Sequence, residues 1–187
     1  AKIVVVDDNS TDSTSEICSQ YKQKDKRIKY IRKNKTVGWI WNFISLLDQS
    51  KTEYFVWIAA DDYWDSKFVE KNLEILESKQ NIVGSISDVK LVGNNIKKYY
   101  SNPSDYNSNY SKWKFVCPNI GTYEKKVENV FEFNWIINIH SIFRTEILKK
   151  SIIRKVFASW DFAIILKIIK FGDLHVLDDI LMFRDTS

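Results

Sequence analysis

The chain has 187 residues, 44% hydrophobic and 28% charged, with a net charge of +4. That composition excludes a disordered chain and allows a buried core, and no apolar run nears the roughly 20 residues that cross a bilayer. Cys18, Cys117, His140 and His175 lack the spacing of a disulfide framework or a zinc site.

In chain order, KIVVV (2–6) predicts a buried strand, closed by Asp7 and Asp8. Those acids break the first apolar run too early for a cleavable signal, so the cytoplasm is the expected compartment. Ser13 and Glu16 have capping-box spacing and open a helix through Ile17 and Tyr21. The basic stretch KQKDKRIKYIRKNK (22–35) spans a helix end and a second strand, IKYI (28–31). A solvated surface is its plain reading; peripheral contact with an anionic membrane or a diphosphate is the other. No nucleic-acid signature accompanies it, so nucleic acid is not an expected partner. Gly38 precedes a helical run through Ile40, Phe43, Ile44 and Leu47.

YFVWIAA (54–60), apolar throughout, predicts a third strand covered on both faces and closed by Asp61 and Asp62. Asp65 is placed to cap a helix with an apolar stripe of Phe68, Val69, Leu73 and Leu76. NIVGSISDVKLV (81–92) adds one strand or two. Residues 94–135, with Pro103 and Pro118, read as a polar surface excursion with local structure near 127–135. A helix over 160–170 and a short strand, LHVL (174–177), precede the tail DDILMFRDTS. Strand–helix alternation predicts a mostly parallel α/β sheet, with ligands at the carboxyl ends of its strands. Asp7, Asp8, Asp61 and Asp62 are expected there.

An acidic pair after a first strand also opens the phospho-accepting receiver domains. That reading is rejected: AADDYWDSKF has neither the Met-Pro step nor the nearby Gly of such a site, and neither proline follows a lysine. VVVDDNSTDST instead resembles the first signature of family 2 glycosyltransferases. Gly38-Trp-Ile-Trp-Asn42 is similar to that family's G-x-x-x-N step, and EYFVWIAADDYWDSKFVEK to its metal segment. IHSIFRTEILKKS resembles the segment before the catalytic helix, and SWDFAIILKIIKFGDLHVLDDILMFR the family's ending.

The resemblance implies a GT-A fold, a Rossmann-like three-layer α/β sandwich. It implies a single domain over 1–187, with a nucleotide- and metal-binding half at 1–93 and an acceptor-side half at 94–187. The implied reaction moves a sugar, with inversion, from a nucleotide-diphosphate donor (a UDP-sugar first) to a hydroxyl of a saccharide or lipid-linked acceptor. Cell-surface polysaccharide or glycolipid synthesis at the inner face of the membrane is the implied setting.

By motif position Asp8 accepts a hydrogen bond from the nucleobase, and Asp7 orients the turn. Asp62 holds Mn²⁺ or Mg²⁺, and Asp61 contacts ribose or a metal-bound water. Asp161 is the catalytic base, and Arg184 steadies the diphosphate. The residues alone leave alternatives open: turn chemistry for Asp7, Asp8 and Asp62, and helix capping for Asp161, with Ser159 another cap candidate. Trp57, Trp64 and Trp160 are expected in the core and pocket wall. The family's chains begin with an earlier strand and helix carrying a P-x-Y/F-N motif, which is not present before KIVVV. An N-terminally truncated fold is therefore expected, and a non-catalytic nucleotide- or partner-binding remnant is the alternative function. Oligomeric state is left open.

Overall fold

The computed structural model describes residues 1–93, 118–133 and 136–185. They form two compact units, one of Ala1–Ser50 with Arg154–Val156, the other of Lys51–Ile153 with Phe157–Ser187.

In the first unit, β1 (Ile3–Asp7) pairs in parallel with β2 (Ile28–Arg32), Ile3 opposite Ile28 and Asp7 opposite Arg32. The crossover between them is α1 (Thr14–Lys24), which buries none of its residues and leaves Ile17 and Tyr21 exposed. The expected capping box does not form, because Ser13 makes no side-chain cap bond. Asp12 Oδ1 takes the Thr14 N–H instead, at 3.0 Å. A charged acceptor two residues upstream of a free N–H outcompetes a hydroxyl. Gly38 stands before α2 (Trp39–Gln49) at φ +91°, a conformation in which any side chain would be strained. Ile40, Ile44 and Leu47 are buried at the helical spacing the sequence shows. Residues 154–156 join this unit through Arg154, whose guanidinium donates to both Asp48 oxygens at 2.6 and 2.8 Å.

The second unit holds a five-stranded sheet in the order β3-β6-β5-β7-β4. Its strands are β3 (Tyr54–Phe55), β4 (Asp62–Trp64), β5 (Ile82–Val92), β6 (Ile142–Arg144) and β7 (Asp173–Asp185). The sheet is mixed. The long β5–β7 ladder is parallel, like β1–β2, while β3–β6, β5–β6 and β4–β7 are antiparallel. The edge strands β3 and β4 are only two and three residues long, and both pair antiparallel with strands distant in sequence.

Two strand expectations change. The strand expected over 54–60 stops at Phe55, so Asp61 and Asp62 do not close it and Asp62 opens β4. Trp57 is buried, and its carbonyl is taken by the His140 ring at 3.1 Å rather than by a neighbouring strand. Conversely, the short strand expected at 174–177 runs to Asp185, because β7 is paired on both sides. The register of β5 against β7 slips between Ser87 and Val89, where Leu177 and Met182 are the facing residues, so β7 carries three extra residues there. Side chains satisfy the freed backbone: Ser87 Oγ accepts the Leu181 N–H at 3.3 Å, and Asp88 Oδ1 accepts the Val89 N–H at 2.9 Å.

Helix α3 (Phe68–Ser78) packs on this sheet, and Phe68 and Leu76 join Ile82, Ile86, Val89, Leu91, Ile142, Leu181 and Met182 in the core. Asp65 organises the turn before α3 by accepting the Lys67 N–H at 2.8 Å, rather than capping the helix itself. Val69 faces outward, and the buried stripe includes Asn72, which bonds Ser85 Oγ at 2.7 Å. Arg144 holds the other end of α3, donating from Nη2 to the Leu76 carbonyl and from Nε to that of Ile82 at 3.0 Å. A Cβ at Gly84 would lie 2.7 Å from the Phe143 ring, so β5 and β6 meet there only as glycine permits.

The remaining elements are α4 (Tyr123–Phe133), a 3₁₀ turn (Ile136–His140), α5 (Thr145–Ser151) and α6 (Trp160–Ile168). The local structure expected near 127–135 is the second half of α4. Most of the 94–135 excursion, with Pro103 and Cys117, lies outside the described residues. Among the described residues, no helix is long and apolar enough to cross a membrane.

Candidate active site

At the end of β1 the two acids part. Asp7 is buried, and its Oδ1 accepts the Ser10 N–H at 2.7 Å while its Oδ2 accepts the Tyr30 hydroxyl at 2.6 Å. Arg32 Nε stands 3.7 Å away. The bonds from Ser10 and Tyr30 hold the Asp7 carboxyl down at about 2, and burial beside that charge pushes the Tyr30 phenol up to about 12. Asp8 is half-buried and accepts the Val37 and Gly38 N–H groups, one on each oxygen, at 2.9 and 2.8 Å. Those bonds, the Val37 one foremost, lower its pKa. Each oxygen keeps acceptor capacity, since a carboxylate offers about four lone-pair directions. Within the basic stretch, Arg27 is bound to Asp25 and Arg32 to the Ser10 carbonyl.

The other expected residues are in the second unit. Asp61 is exposed. Asp62 is 8% exposed, and neither of its oxygens has a hydrogen-bond partner within 3.5 Å, although the Asp185 backbone N–H acts on it and lowers its pKa. Burial raises its pKa, against the pull of Arg184, its register partner across β4–β7. A buried carboxylate left unpaired is costly, and a hard divalent cation with oxygen ligands is the partner that suits it. Among the described residues no three His, Cys, Asp or Glu side chains converge, so Mn²⁺ or Mg²⁺ held by Asp62 would draw its other ligands from phosphate and water.

Asp161 occupies the first turn of α6, with Ile165 and Ile168 buried one and two turns on. Its Oδ1 accepts the adjacent Phe162 N–H at 3.0 Å. Burial raises its pKa, with the Phe162 bond and Arg184 acting the other way. Ser159, at the cap position with φ +60°, makes no side-chain cap bond. Arg184 is thus the positive charge felt by both Asp62 and Asp161. Trp57 and Trp160 are buried with ring centroids 6.3 Å apart, and Trp64 stacks on Phe68 at 4.3 Å, as expected of core and wall.

His140 is the residue the sequence reading passed over. It is buried, contacts the Trp57 carbonyl, and feels the charges of Arg184 and Asp61. Burial pushes its pKa down to about 4, so the ring is neutral at physiological pH. Its only signal in the sequence is a place, with Asn138 and Ser141, among the three polar residues of the otherwise apolar run IINIHSIF.

The model of glycosyl transferase family 2 matches residues 1–150. The chain belongs to that family. Glycosyltransferase GlyA of Streptococcus pneumoniae serotype 4 (strain ATCC BAA-334 / TIGR4) is 30% identical over 133 residues, 71% of this family 2 chain and 17% of GlyA. The crystal structure of S. aureus TarS 1–349 in complex with UDP-GlcNAc superposes with a TM-score of 0.67 at 20% identity, over 100% of this chain and 50% of that one. The mannosyltransferase PcManGT from Pyrobaculum calidifontis, in complex with GDP-Man and Mn²⁺, gives 0.62 at 15% identity, over 98% and 47%. The family 2 chain therefore has the GT-A fold, and it spans about half or less of the proteins it resembles.

Proposed function

We propose that this chain, as one catalytic domain, transfers a sugar with inversion from a nucleotide-diphosphate donor to an acceptor hydroxyl. The observation that carries the reading is Asp62: a buried carboxylate without a partner, beside an arginine, in a family 2 chain.

In the first unit, Asp8 would accept the nucleobase N–H with the acceptor capacity it retains, and Asp7 would keep the turn rigid. In the second, Asp62 would hold Mn²⁺ or Mg²⁺, whose charge takes up that developing on the departing diphosphate. Arg184 would add a fixed positive charge for the same diphosphate, and Asp61 would reach ribose or a metal-bound water. Asp161 would take the proton from the acceptor hydroxyl as the hydroxyl oxygen bonds the anomeric carbon from the face opposite the departing diphosphate. The bond to the nucleoside diphosphate breaks, and its electron pair leaves with the phosphate oxygen. A carboxylate whose pKa is raised by burial is a better base for this than a solvated one.

A UDP-sugar is the first donor to test, and a cytoplasmic site at the inner membrane face, with a saccharide or lipid-linked acceptor, is the setting proposed. Titrating the chain with UDP and GDP, with and without Mn²⁺, checks the reading. Metal-dependent binding supports it; a folded chain that binds neither is a non-catalytic remnant of the fold.

A further inference from the structure

The segment that delivers Asp61 and Asp62 leaves the sheet after Phe55, so residues 56–60 have no strand pairing to hold them. Trp57 is the buried aromatic within that segment, only 2% exposed, between an exposed Ile58 and a half-buried Val56. Its ring meets Phe55 edge-on at 5.2 Å and Trp160, the residue before Asp161, at 6.3 Å. Its carbonyl lies 3.1 Å from His140 Nδ1. Trp160 is fixed in turn by its indole N–H on the Ile153 carbonyl, at 2.7 Å.

A carbonyl can only accept, so the proton of a neutral His140 must sit on Nδ1. The imidazole therefore supplies, in place of a sheet bond, one hydrogen bond from a buried donor. The imidazole bond fixes the backbone at the Trp57 carbonyl, where ring packing fixes only the side chain.

We propose that His140 is a positioning residue that locks the 56–61 segment through the Trp57 carbonyl, so that Asp62 is presented to its cation at a fixed place relative to Trp160 and the Asp161 helix. The proposal rests on the transferase reading only for its consequence in nucleotide binding. The lock itself is a property of the apo chain.

The test compares His140→Asn, which keeps a donor where Nδ1 was, with His140→Phe, which keeps the ring volume and loses the donor. Amide hydrogen exchange is followed across 55–62, with β5 as the internal reference. In H140F the 55–62 amides should exchange about tenfold faster while β5 is unchanged, and H140N should match the parent chain. Mn²⁺-dependent affinity for UDP or GDP should fall about tenfold in H140F and return in H140N.

Unchanged exchange in H140F overturns the lock whatever the nucleotides do, and so does loosening of β5 together with 55–62. Local loosening in a parent chain that binds neither nucleotide keeps the lock and removes the transferase reading. Should H140F not fold, His140→Gln, whose amide lies nearer the Nε2 position, is read against H140N in the same way.

Discussion

In the first unit the chain itself engages every oxygen of Asp7 and Asp8, whereas in the second Asp62 has neither oxygen engaged and Asp161 holds one backbone N–H. The first pair is pushed to lower pKa and the second to higher. The packing differs in the same sense. A two-stranded sheet and α1, which buries no residue, leave apolar burial in the first unit to Ile40, Ile44 and Leu47 of α2, so charged hydrogen bonds organise the end of β1. The second has a continuous apolar core able to hold an unsatisfied carboxylate. Carboxylates with internal partners stabilise the protein. Under the proposed function, those without partners are held ready for a cation and a substrate proton.

The sharpest way to break that comparison is Asp161→Asn. Under the proposed mechanism turnover falls about 10²–10⁴-fold, while Mn²⁺-dependent UDP or GDP binding, read by calorimetry, is retained. A variant with normal turnover removes Asp161 from the role of base. Asp62→Asn should abolish the metal dependence of nucleotide binding and cost about 10²–10³-fold in turnover. It should also raise the thermal midpoint of the metal-free chain, since it discharges a buried, unpaired carboxylate. A lower midpoint would mean that Asp62 has an internal partner after all.

Asp7→Asn should act the opposite way and lower stability in urea by about 1–3 kcal/mol, because the Tyr30 hydroxyl and Ser10 N–H lose a charged acceptor. Tyr30→Phe should cost about 1 kcal/mol. The pH signs also differ. Asp7, at about 2 against an ordinary 3.8, stabilises the fold above the ordinary value, and that contribution is lost as pH falls toward 2. Tyr30→Phe should flatten this acid limb. For Asp62 and Asp161 the raised pKa values favour the protonated fold, so their contribution is lost as pH rises through them. The mildest change is Arg184→Gln, which removes a charge that lowers both. The acid limb of kcat/KM should then move to higher pH, and Arg184→Lys should largely restore it.

Much of this was legible in the sequence, because apolar runs and acids at their ends are local signals. Ile40, Ile44 and Leu47 are buried as their spacing requires, and Asp161 sits at the start of its helix. What was not legible depends on tertiary competition. Nothing in YFVWIAA says that its third and later residues leave the sheet, or that the Trp57 carbonyl meets a histidine 83 positions away. Ser13 and Glu16 match a capping box, yet Asp12 reaches the free N–H first. That Arg184 is an ordered neighbour of Asp62, not part of a tail, follows from β7 being paired on both sides. Sequence periodicity carries no information on which strands become neighbours.

The extra residues where β7 slips against β5 give the strand a parity. Residues paired across a ladder share a face, so Arg184, opposite Leu91, takes the face that Leu91 takes, and the three extra residues decide which residue of β7 reaches that position. Deleting one residue among the exposed Asp178, Asp179 and Ile180 should draw the end of β7 one residue along β5, and a shift of one moves every side chain beyond it to the other face. No residue of the candidate site would be altered, yet the positive charge would be carried to the other side of the sheet. Length at this point of the chain is therefore as much a functional property as the identity of any side chain.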